Sequence, residues 1–233
     1  MSEPAADESV GALVRLLHLA SPMLPIGAYS YSQGLEWAVG EGTVRDAATA
    51  ERWIGDLLDH VMPRGEGALT WRLLCCARTS DWPTWAHWNA WFRASRETAE
   101  LSAETEQTGS SLLQLLDSLG LIDAEVRGAL PAPTPITLPA AYSLAARGLG
   151  LGSDAALTAY LWAWLENQVL CAMKSVPLGQ VAGQRLLLRL GERIRYVVME
   201  AKRTPDGDVT SFAPGLALAS SRHETQYTRL FRS

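Results

Sequence analysis

The chain has 233 residues, of which 48% are hydrophobic and 19% are charged, a composition typical of a globular protein with a substantial core. Its formal net charge of -5 argues against a general nucleic-acid-binding protein. Cys75, Cys76 and Cys171 are odd in number and lack the spacing of metal ligands, so they predict a reducing, cytoplasmic location rather than a disulfide framework.

The first nine residues are small and acidic, and they lack the basic region and apolar run of a signal peptide. We therefore expect residues 1–9 to form a short disordered tail. The most apolar stretch, residues 155–176, carries Glu166, Asn167 and Gln168 near its centre, where a membrane helix tolerates polar groups least. This stretch predicts a buried helix in a soluble protein and no membrane contact.

A predicted helix over residues 10–19 ends at the stretch that we call the corner, residues 21–36. Pro22 and Pro25 disfavour the α conformation in the residues before them, so the chain has to turn here. If residues 29–32 are extended, Tyr29 and Tyr31 project on one side and the serines on the other. A second helix is predicted from Ser32 or Gln33, with Glu36 in its first turn.

The corner is open to two interpretations. Its tyrosines can be buried in a helix–loop–helix turn, or they can form a binding surface, because tyrosines flanked by serines are typical of interfaces. On the second interpretation, replacing Tyr29 by Ala lowers partner binding more than it lowers stability.

The rest of the chain shows helical periodicity and no convincing period-two pattern. Trp82, Trp85, Trp88 and Trp91 recur every three residues, which indicates a core stripe or, if exposed, a partner groove. Four prolines in residues 128–139 predict an internal connection between two halves. The sequence thus predicts an all-α, single-domain bundle of about ten helices within residues 10–221. Those after the corner are expected around residues 35–39, 46–62, 69–77, 82–92, 112–119, 142–149, 154–176, 186–198 and 213–221.

Motifs for chemistry are missing from the sequence. No glycine-rich loop precedes a lysine and a hydroxyl residue, the four histidines are scattered, and no nucleophile motif frames a serine. We therefore expect no catalytic residue, no cofactor and no metal site in this chain, and in particular no tight nickel binding. The sequence favours a binding protein over an enzyme.

Two features of the C-terminal half indicate contact with a partner. Lys174 ends the apolar helix, where its ammonium group either reaches the surface or meets an acidic group of a partner. Residues 222–233 combine arginines with aromatic and aliphatic side chains, the composition of an interface segment. We expect this segment to be mobile in the free protein and ordered on binding, and its truncation to leave the fold intact. The alternative is a segment docked on its own domain.

Three stretches resemble one known family. Residues 19–39 read Leu-Ala-Ser-Pro-Met-Leu-Pro-Ile-Gly-Ala-Tyr-Ser-Tyr-Ser-Gln-Gly-Leu-Glu-Trp-Ala-Val, residues 174–180 read Lys-Ser-Val-Pro-Leu-Gly-Gln, and residues 220–233 read Ser-Ser-Arg-His-Glu-Thr-Gln-Tyr-Thr-Arg-Leu-Phe-Arg-Ser. In this order they resemble the UreF family of urease accessory proteins. Residues 60–150 match that family only in helical character.

The resemblance implies a homodimeric, UreF-like helical protein that binds the scaffold subunit UreD, called UreH in some organisms. It also implies recruitment or regulation of the GTPase UreG and, through the accessory complex, a chaperone role in nickel insertion into apo-urease. Matching positions assign Tyr29, Ser30, Gln33, Glu36 and Lys174 to the dimer and UreG side. They assign His223, Glu224, Tyr227, Arg229 and Arg232 to the scaffold side.

Two alternative functions are compatible with the sequence. One is a GTPase-activating protein that inserts Arg222, Arg229 or Arg232 into the active site of UreG. The other is an autonomous helical scaffold unrelated to urease.

Overall fold

The computed structural model describes residues 4–130 and 135–232, and within them the regular structure is helical throughout, which confirms the all-α prediction. The helices are α1 (Pro4–Ala20), α2 (Leu35–Gly40), α3 (Ala47–Asp56), α4 (Glu66–Thr79), α5 (Trp82–Ala94), α6 (Ala99–Ser118), α7 (Ala124–Ala129), α8 (Leu138–Gly148), α9 (Ser153–Ser175), α10 (Gln180–Gly191), α11 (Ile194–Arg203) and α12 (Pro214–His223). A π-helical turn, Leu57–Val61, and two 3-10 turns, Ala28–Ser30 and Asp206–Asp208, complete the set.

Helix α9 runs through the middle of the core, as its apolar sequence predicted. Its buried side chains include Leu157, Leu161 and Leu165, which recur every four residues and therefore line one face. Helix α9 packs against α1, α4, α10 and α11, while α4 also packs against α5 and α8. Along residues 4–130 and 135–232 no helix is both long enough and apolar enough to span a membrane.

The tryptophan stripe of α5 belongs to the core. Trp85 and Trp88 are buried, whereas Trp82 and Trp91 are half-buried and pack against the same apolar cluster. The indole N–H of Trp85 donates to the hydroxyl of Ser143 on α8 at 2.8 Å, so the one polar atom of this ring is satisfied inside the core. The core interpretation of the stripe is therefore confirmed.

The proline-rich connection joins helices that share one core. Prolines 131 and 133 lie outside the described residues. Beyond them, the fully buried side chain of Asn89 on α5 accepts a hydrogen bond from the Thr137 N–H at 2.9 Å and donates to the Pro135 carbonyl at 3.1 Å. Gly109 of α6 lies so close to this backbone that a Cβ atom would collide with the Ile136 carbonyl. These contacts hold the start of α8 against α5 and α6.

Several boundaries differ from the sequence predictions. Helix α1 begins at Pro4, inside the stretch predicted as a tail, and residues 1–3 lie outside the described part. The single helix predicted over residues 186–198 is two helices, because the chain bends between Gly191 and Ile194.

The corner also differs from its prediction. Residues Ala28–Ser30 form a 3-10 turn rather than an extended segment, so Tyr29 and Tyr31 do not share a side: Tyr29 is 57% exposed, whereas Tyr31 is buried. Helix α2 begins at Leu35, because Gln33 and Gly34 both have positive φ angles, of 54° and 79°, and interrupt the α conformation.

Candidate functional site

Three segments that are distant in sequence meet at one end of the bundle: the corner, the end of α9 and the last residues of the chain. The Arg232 N–H donates to the Ser30 carbonyl at 2.7 Å. The ammonium group of Lys174 lies 6.0 Å from the centre of the Tyr29 ring and 5.6 Å from that of Phe231. These contacts form a surface depression that we call the docking face, lined by Tyr29, Ser30, Lys174, Leu230, Phe231 and Arg232.

The C-terminal segment is held on the corner by a buried carboxylate, that of Glu36 on α2. Glu36 accepts hydrogen bonds from the backbone N–H groups of Leu230 at 2.6 Å and Phe231 at 2.9 Å, and its Oε2 lies 3.2 Å from His223 Nε2. A charged acceptor makes stronger hydrogen bonds than a neutral one. Glu36 therefore joins α2 to the end of α12 and to the last residues.

Glu100 on α6 completes this arrangement from the other side of His223. Its Oε2 lies 2.7 Å from His223 Nδ1, and its Oε1 accepts a hydrogen bond from Arg229 at 2.8 Å. The imidazole of His223 is fully buried between the two carboxylates. We call Glu36, Glu100 and His223 the clasp.

Both ring nitrogens of His223 are engaged by the clasp. Nδ1 lies within hydrogen-bond distance of Glu100 Oε2, and Nε2 within hydrogen-bond distance of Glu36 Oε2. The guanidinium of Arg229 forms an ion pair with Glu100 on the outer side of the clasp. Buried charges are tolerated when they are paired and hydrogen-bonded in this way.

Further contacts fix α12 against α6. The Glu224 carboxylate accepts hydrogen bonds from the N–H groups of Ala99 at 2.9 Å and Glu100 at 3.4 Å, in the first turn of α6. There its negative charge meets the positive end of the helix dipole. The hydroxyls of Thr98 and Ser220 lie 2.7 Å apart. Glu224 thus acts as a helix cap within the protein.

Gln33 and Gly34, two of the left-handed residues of the corner, bring it close to its neighbours. Gly34 approaches α12 so closely that a Cβ atom would lie 2.9 Å from the Cβ of Ala219. The side-chain oxygen of Gln33 accepts from the Trp164 indole at 2.9 Å, and its nitrogen donates to Glu104 at 2.9 Å. Gln33 therefore ties the corner to α9 and α6.

The structure thus divides the predicted site residues into two sets. The side chains of Tyr29, Lys174, Tyr227, Arg229 and Arg232 are exposed, and Ser30 is half-buried. The side chains of Glu36 and His223 are buried, Gln33 is half-buried, and Glu224, although exposed, is engaged as a cap of α6. The family resemblance assigned Glu36 to the dimer and UreG side and His223 to the scaffold side. These two residues contact each other, so the two surfaces are joined.

The expectation of a mobile C-terminal segment is replaced by its alternative, a segment docked on its own domain. Phe231 and His223 are buried, and the Glu36 carboxylate accepts two backbone hydrogen bonds from the segment. The sequence analysis also missed the role of Glu100. Its spacing from the neighbouring charged residues is that of an ordinary helical surface, and nothing in the local sequence distinguishes it.

The docking face is suited to recognising a protein surface. It places the cations of Lys174 and Arg232 beside the exposed ring of Tyr29 and the exposed aliphatic side chain of Leu230. This combination fits an acidic partner surface with apolar neighbours.

The described residues show neither a reactive thiolate near this face nor a metal site. Burial raises the pKa of the Cys171 thiol to about 12, so this sulfur is not a thiolate. Among the described residues, no three His, Cys, Asp or Glu side chains are grouped to hold a metal ion.

Comparison with known proteins identifies the family. The UreF family model matches residues 44–191. The chain is 54% identical over 225 residues to a protein named urease accessory protein UreF from Azoarcus sp., with 95% of each chain covered. Proteins of the same name from Janthinobacterium sp. and Cupriavidus metallidurans are 50% and 51% identical, over 95% of this chain and 98% and 97% of their own lengths.

The matches to these relatives cover 95% of the chain, more than the 44–191 range of the family model. They overturn the interpretation of the chain as a scaffold unrelated to urease. The chain belongs to the UreF family of urease accessory proteins, which serve in urease maturation.

Proposed function

We propose that this protein binds the scaffold subunit UreD (UreH in some organisms) and the GTPase UreG through its docking face, and thereby supports nickel insertion into apo-urease. In this proposal it catalyses no reaction of its own. Its contribution is to hold partners in place.

The observation that carries the proposal is the convergence of three distant segments on Lys174. Its exposed ammonium group is flanked by the rings of Tyr29 and Phe231, and in the described part of the chain it forms no ion pair. An ammonium held over aromatic rings is available to a carboxylate of a partner. Arg232, on the same face, adds a second positive charge.

A homodimer is part of the same proposal. Helix α1 exposes a row of apolar side chains, and the groove beside it is lined by half-exposed apolar residues of α9 and α11. These are Val10, Leu13, Val14 and Leu17 on α1, with Trp162 and Met199 across the groove. Exposed apolar area of this kind supports an interface with a second copy. Light scattering should give the mass of a dimer for the wild type and of a monomer for Leu17→Asp.

The chain offers a matched pair of residues for the main experiment, since Lys174 and Lys202 are its only lysines. Lys202 lies elsewhere, where it pairs with Asp154 and faces the Trp71 ring. Co-purification with UreD and UreG should be lost for Lys174→Glu and retained for Lys202→Glu. Equal retention by both variants would overturn the proposed docking face.

The alternative of a GTPase-activating protein is tested here at Arg229, one of the three arginines considered for insertion into UreG. Arg229 is already engaged by Glu100, which leaves its guanidinium less available for insertion into another active site. Turnover of GTP by UreG should therefore be unchanged by Arg229→Lys. A loss of stimulated turnover in that variant would favour activation over recruitment.

A further inference from the structure

Helix α10 has an outer side that combines apolar and basic side chains. Four of its exposed residues have the spacing of neighbours on one side of a helix, and we call them the α10 face: Val181, Gln184, Arg185 and Leu188. Val181 and Leu188 are 64% and 71% exposed, so both aliphatic side chains remain in contact with water. Covering them with a partner surface removes this apolar area from water and favours association.

The opposite side of α10 fixes the helix on the core. Leu186, Leu187 and Leu190 are buried, and the helix packs against α9 and α3. Gly183 leaves room for the thioether of Met173, which lies where a Cβ atom would otherwise be. The α10 face is therefore preformed, and a partner does not have to order it on binding.

The charge of the α10 face is positive although the net charge of the chain is -5. In the part of the chain that the structure describes, Arg185 forms no ion pair. Arg189, one turn further on, lies 2.7 Å from Glu51, but its side chain is 57% exposed, and a surface pair of this kind is weak. Both guanidinium groups are thus available to carboxylates of a partner.

The α10 face is separate from the two surfaces described above. The groove of the proposed homodimer reaches Gly191 and Glu192 but no residue of the α10 face, and the depression of the docking face contains none of them either. Aliphatic side chains gain little from a phosphate backbone, so Val181 and Leu188 favour a protein over a nucleic acid as the occupant.

We propose that the α10 face binds an amphipathic helix of a partner protein whose apolar stripe is flanked by Asp or Glu side chains. The apolar stripe covers Val181 and Leu188, and the acidic side chains pair with Arg185 and Arg189. Glu192, exposed at the end of α10, repels an acid placed there and so gives the bound helix a direction.

The test uses the full-length protein and two synthetic helical peptides of about 20 residues with the same stripe of leucines, one flanked by glutamates and the other by lysines. Fluorescence anisotropy of each labelled peptide gives its affinity. We expect the glutamate peptide to bind the wild type about tenfold more tightly than the lysine peptide, because only glutamates pair with Arg185 and Arg189.

Substitutions on the α10 face and matched substitutions elsewhere locate the binding site. Arg185→Glu and Leu188→Ser should each weaken binding of the glutamate peptide by about five- to tenfold, with an unchanged circular dichroism spectrum because both side chains are exposed. Arg78→Glu and Leu119→Ser, at exposed positions on α4 and after α6, should bind the peptide as the wild type does.

The outcomes separate this proposal from that of the docking face. Lys174→Glu should bind the glutamate peptide normally while it loses UreD and UreG. Loss of peptide binding in Lys174→Glu with retention in Arg185→Glu would place the peptide on the docking face and overturn the proposal. Equal affinities for the two peptides, or for the wild type and Arg185→Glu, would also overturn it. A halved mass of Arg185→Glu in light scattering would show that a second copy covers the α10 face instead.

Discussion

The helical core and the clasp are both buried, yet they depend on different forces. In the core, the fully buried side chains of α4, α8 and α9, such as Leu73, Leu144 and Leu161, are held by the removal of apolar surface from water. In the clasp, Glu36 and Glu100 are held by hydrogen-bond contacts with His223, and Glu100 also by its ion pair with Arg229; the burial of these polar groups opposes folding unless every partner is present. We therefore expect a core substitution to lower the free energy of unfolding in proportion to the apolar surface that it removes. Loss of any one clasp residue should disrupt the whole clasp.

The largest effect should come from removing the acceptor at the centre of the clasp. Glu36→Ala removes the carboxylate that contacts His223 Nε2 and accepts from the N–H groups of Leu230 and Phe231. We expect a loss of about 3–5 kcal/mol in the free energy of unfolding, measured by urea denaturation, because several buried polar groups lose their partner at once. The C-terminal segment should also become sensitive to carboxypeptidase.

Glu41, at the other end of α2, is the matched control because its side chain is exposed. Glu41→Ala should change the free energy of unfolding by less than about 0.5 kcal/mol. If both variants unfold at the same urea concentration, the Glu36 carboxylate does not hold the segment.

A substitution in the core tests the difference between the core and the clasp. Trp85→Phe removes part of a buried ring and takes the donor away from the Ser143 hydroxyl, so we expect a loss of about 2–3 kcal/mol. Cleavage of the C-terminal segment by carboxypeptidase should stay at the wild-type rate, because the clasp is intact. Trp91→Phe, at a half-buried position, should cost less than Trp85→Phe; the reverse order would contradict the assignment of the stripe.

Gly34 precedes α2 and Gly40 ends it. Replacing each by alanine distinguishes the effect of backbone strain from that of chain flexibility. Gly34→Ala forces a left-handed conformation on alanine and moves Ala219, which should cost about 1–2 kcal/mol or more in the free energy of unfolding. Gly40 has open space around its Cα, so Gly40→Ala should be neutral or stabilising by about 0.4–1 kcal/mol. A stabilised Gly34→Ala would show that α12 does not approach the corner closely.

The smallest expected effect concerns the cysteines. Burial raises the pKa of the Cys76 thiol to about 11 and that of Cys171 to about 12. Since the thiolate is the reactive form, alkylation by iodoacetamide should be slow at pH 8 and should rise about tenfold per pH unit up to pH 10 in the folded protein. Rapid labelling of Cys171 at pH 7 would show that the region behind the docking face opens.

The helices and the tryptophan core could be predicted from the sequence because their signals are local. The apolar stretch of residues 155–176 predicted α9, and tryptophans that recur every three residues predicted the buried stripe of α5. The clasp could not be predicted in this way. Glu36 and His223 are 187 residues apart, and neither residue has neighbours that distinguish a buried charge from a solvated one.

The same reasoning explains the error about the C-terminal segment. Arginines and aromatic side chains gave it the composition of an interface, and the structure uses part of that composition internally: Arg229 pairs with Glu100, and Phe231 is buried. Composition indicates which residues can form an interface, but the acceptor that holds them, Glu36, lies on another helix.

The most direct test of the account is a double-mutant cycle between the clasp and the docking face. The affinity for the UreG and UreD partners is measured for the wild type, Glu36→Ala, Lys174→Ala and the double variant, at a temperature where circular dichroism shows all four to be folded. If the clasp assembles the face, each single variant weakens binding, and the double variant weakens it by less than the sum of the two losses in binding free energy. Additive losses, or an unchanged affinity for Glu36→Ala, would contradict the account.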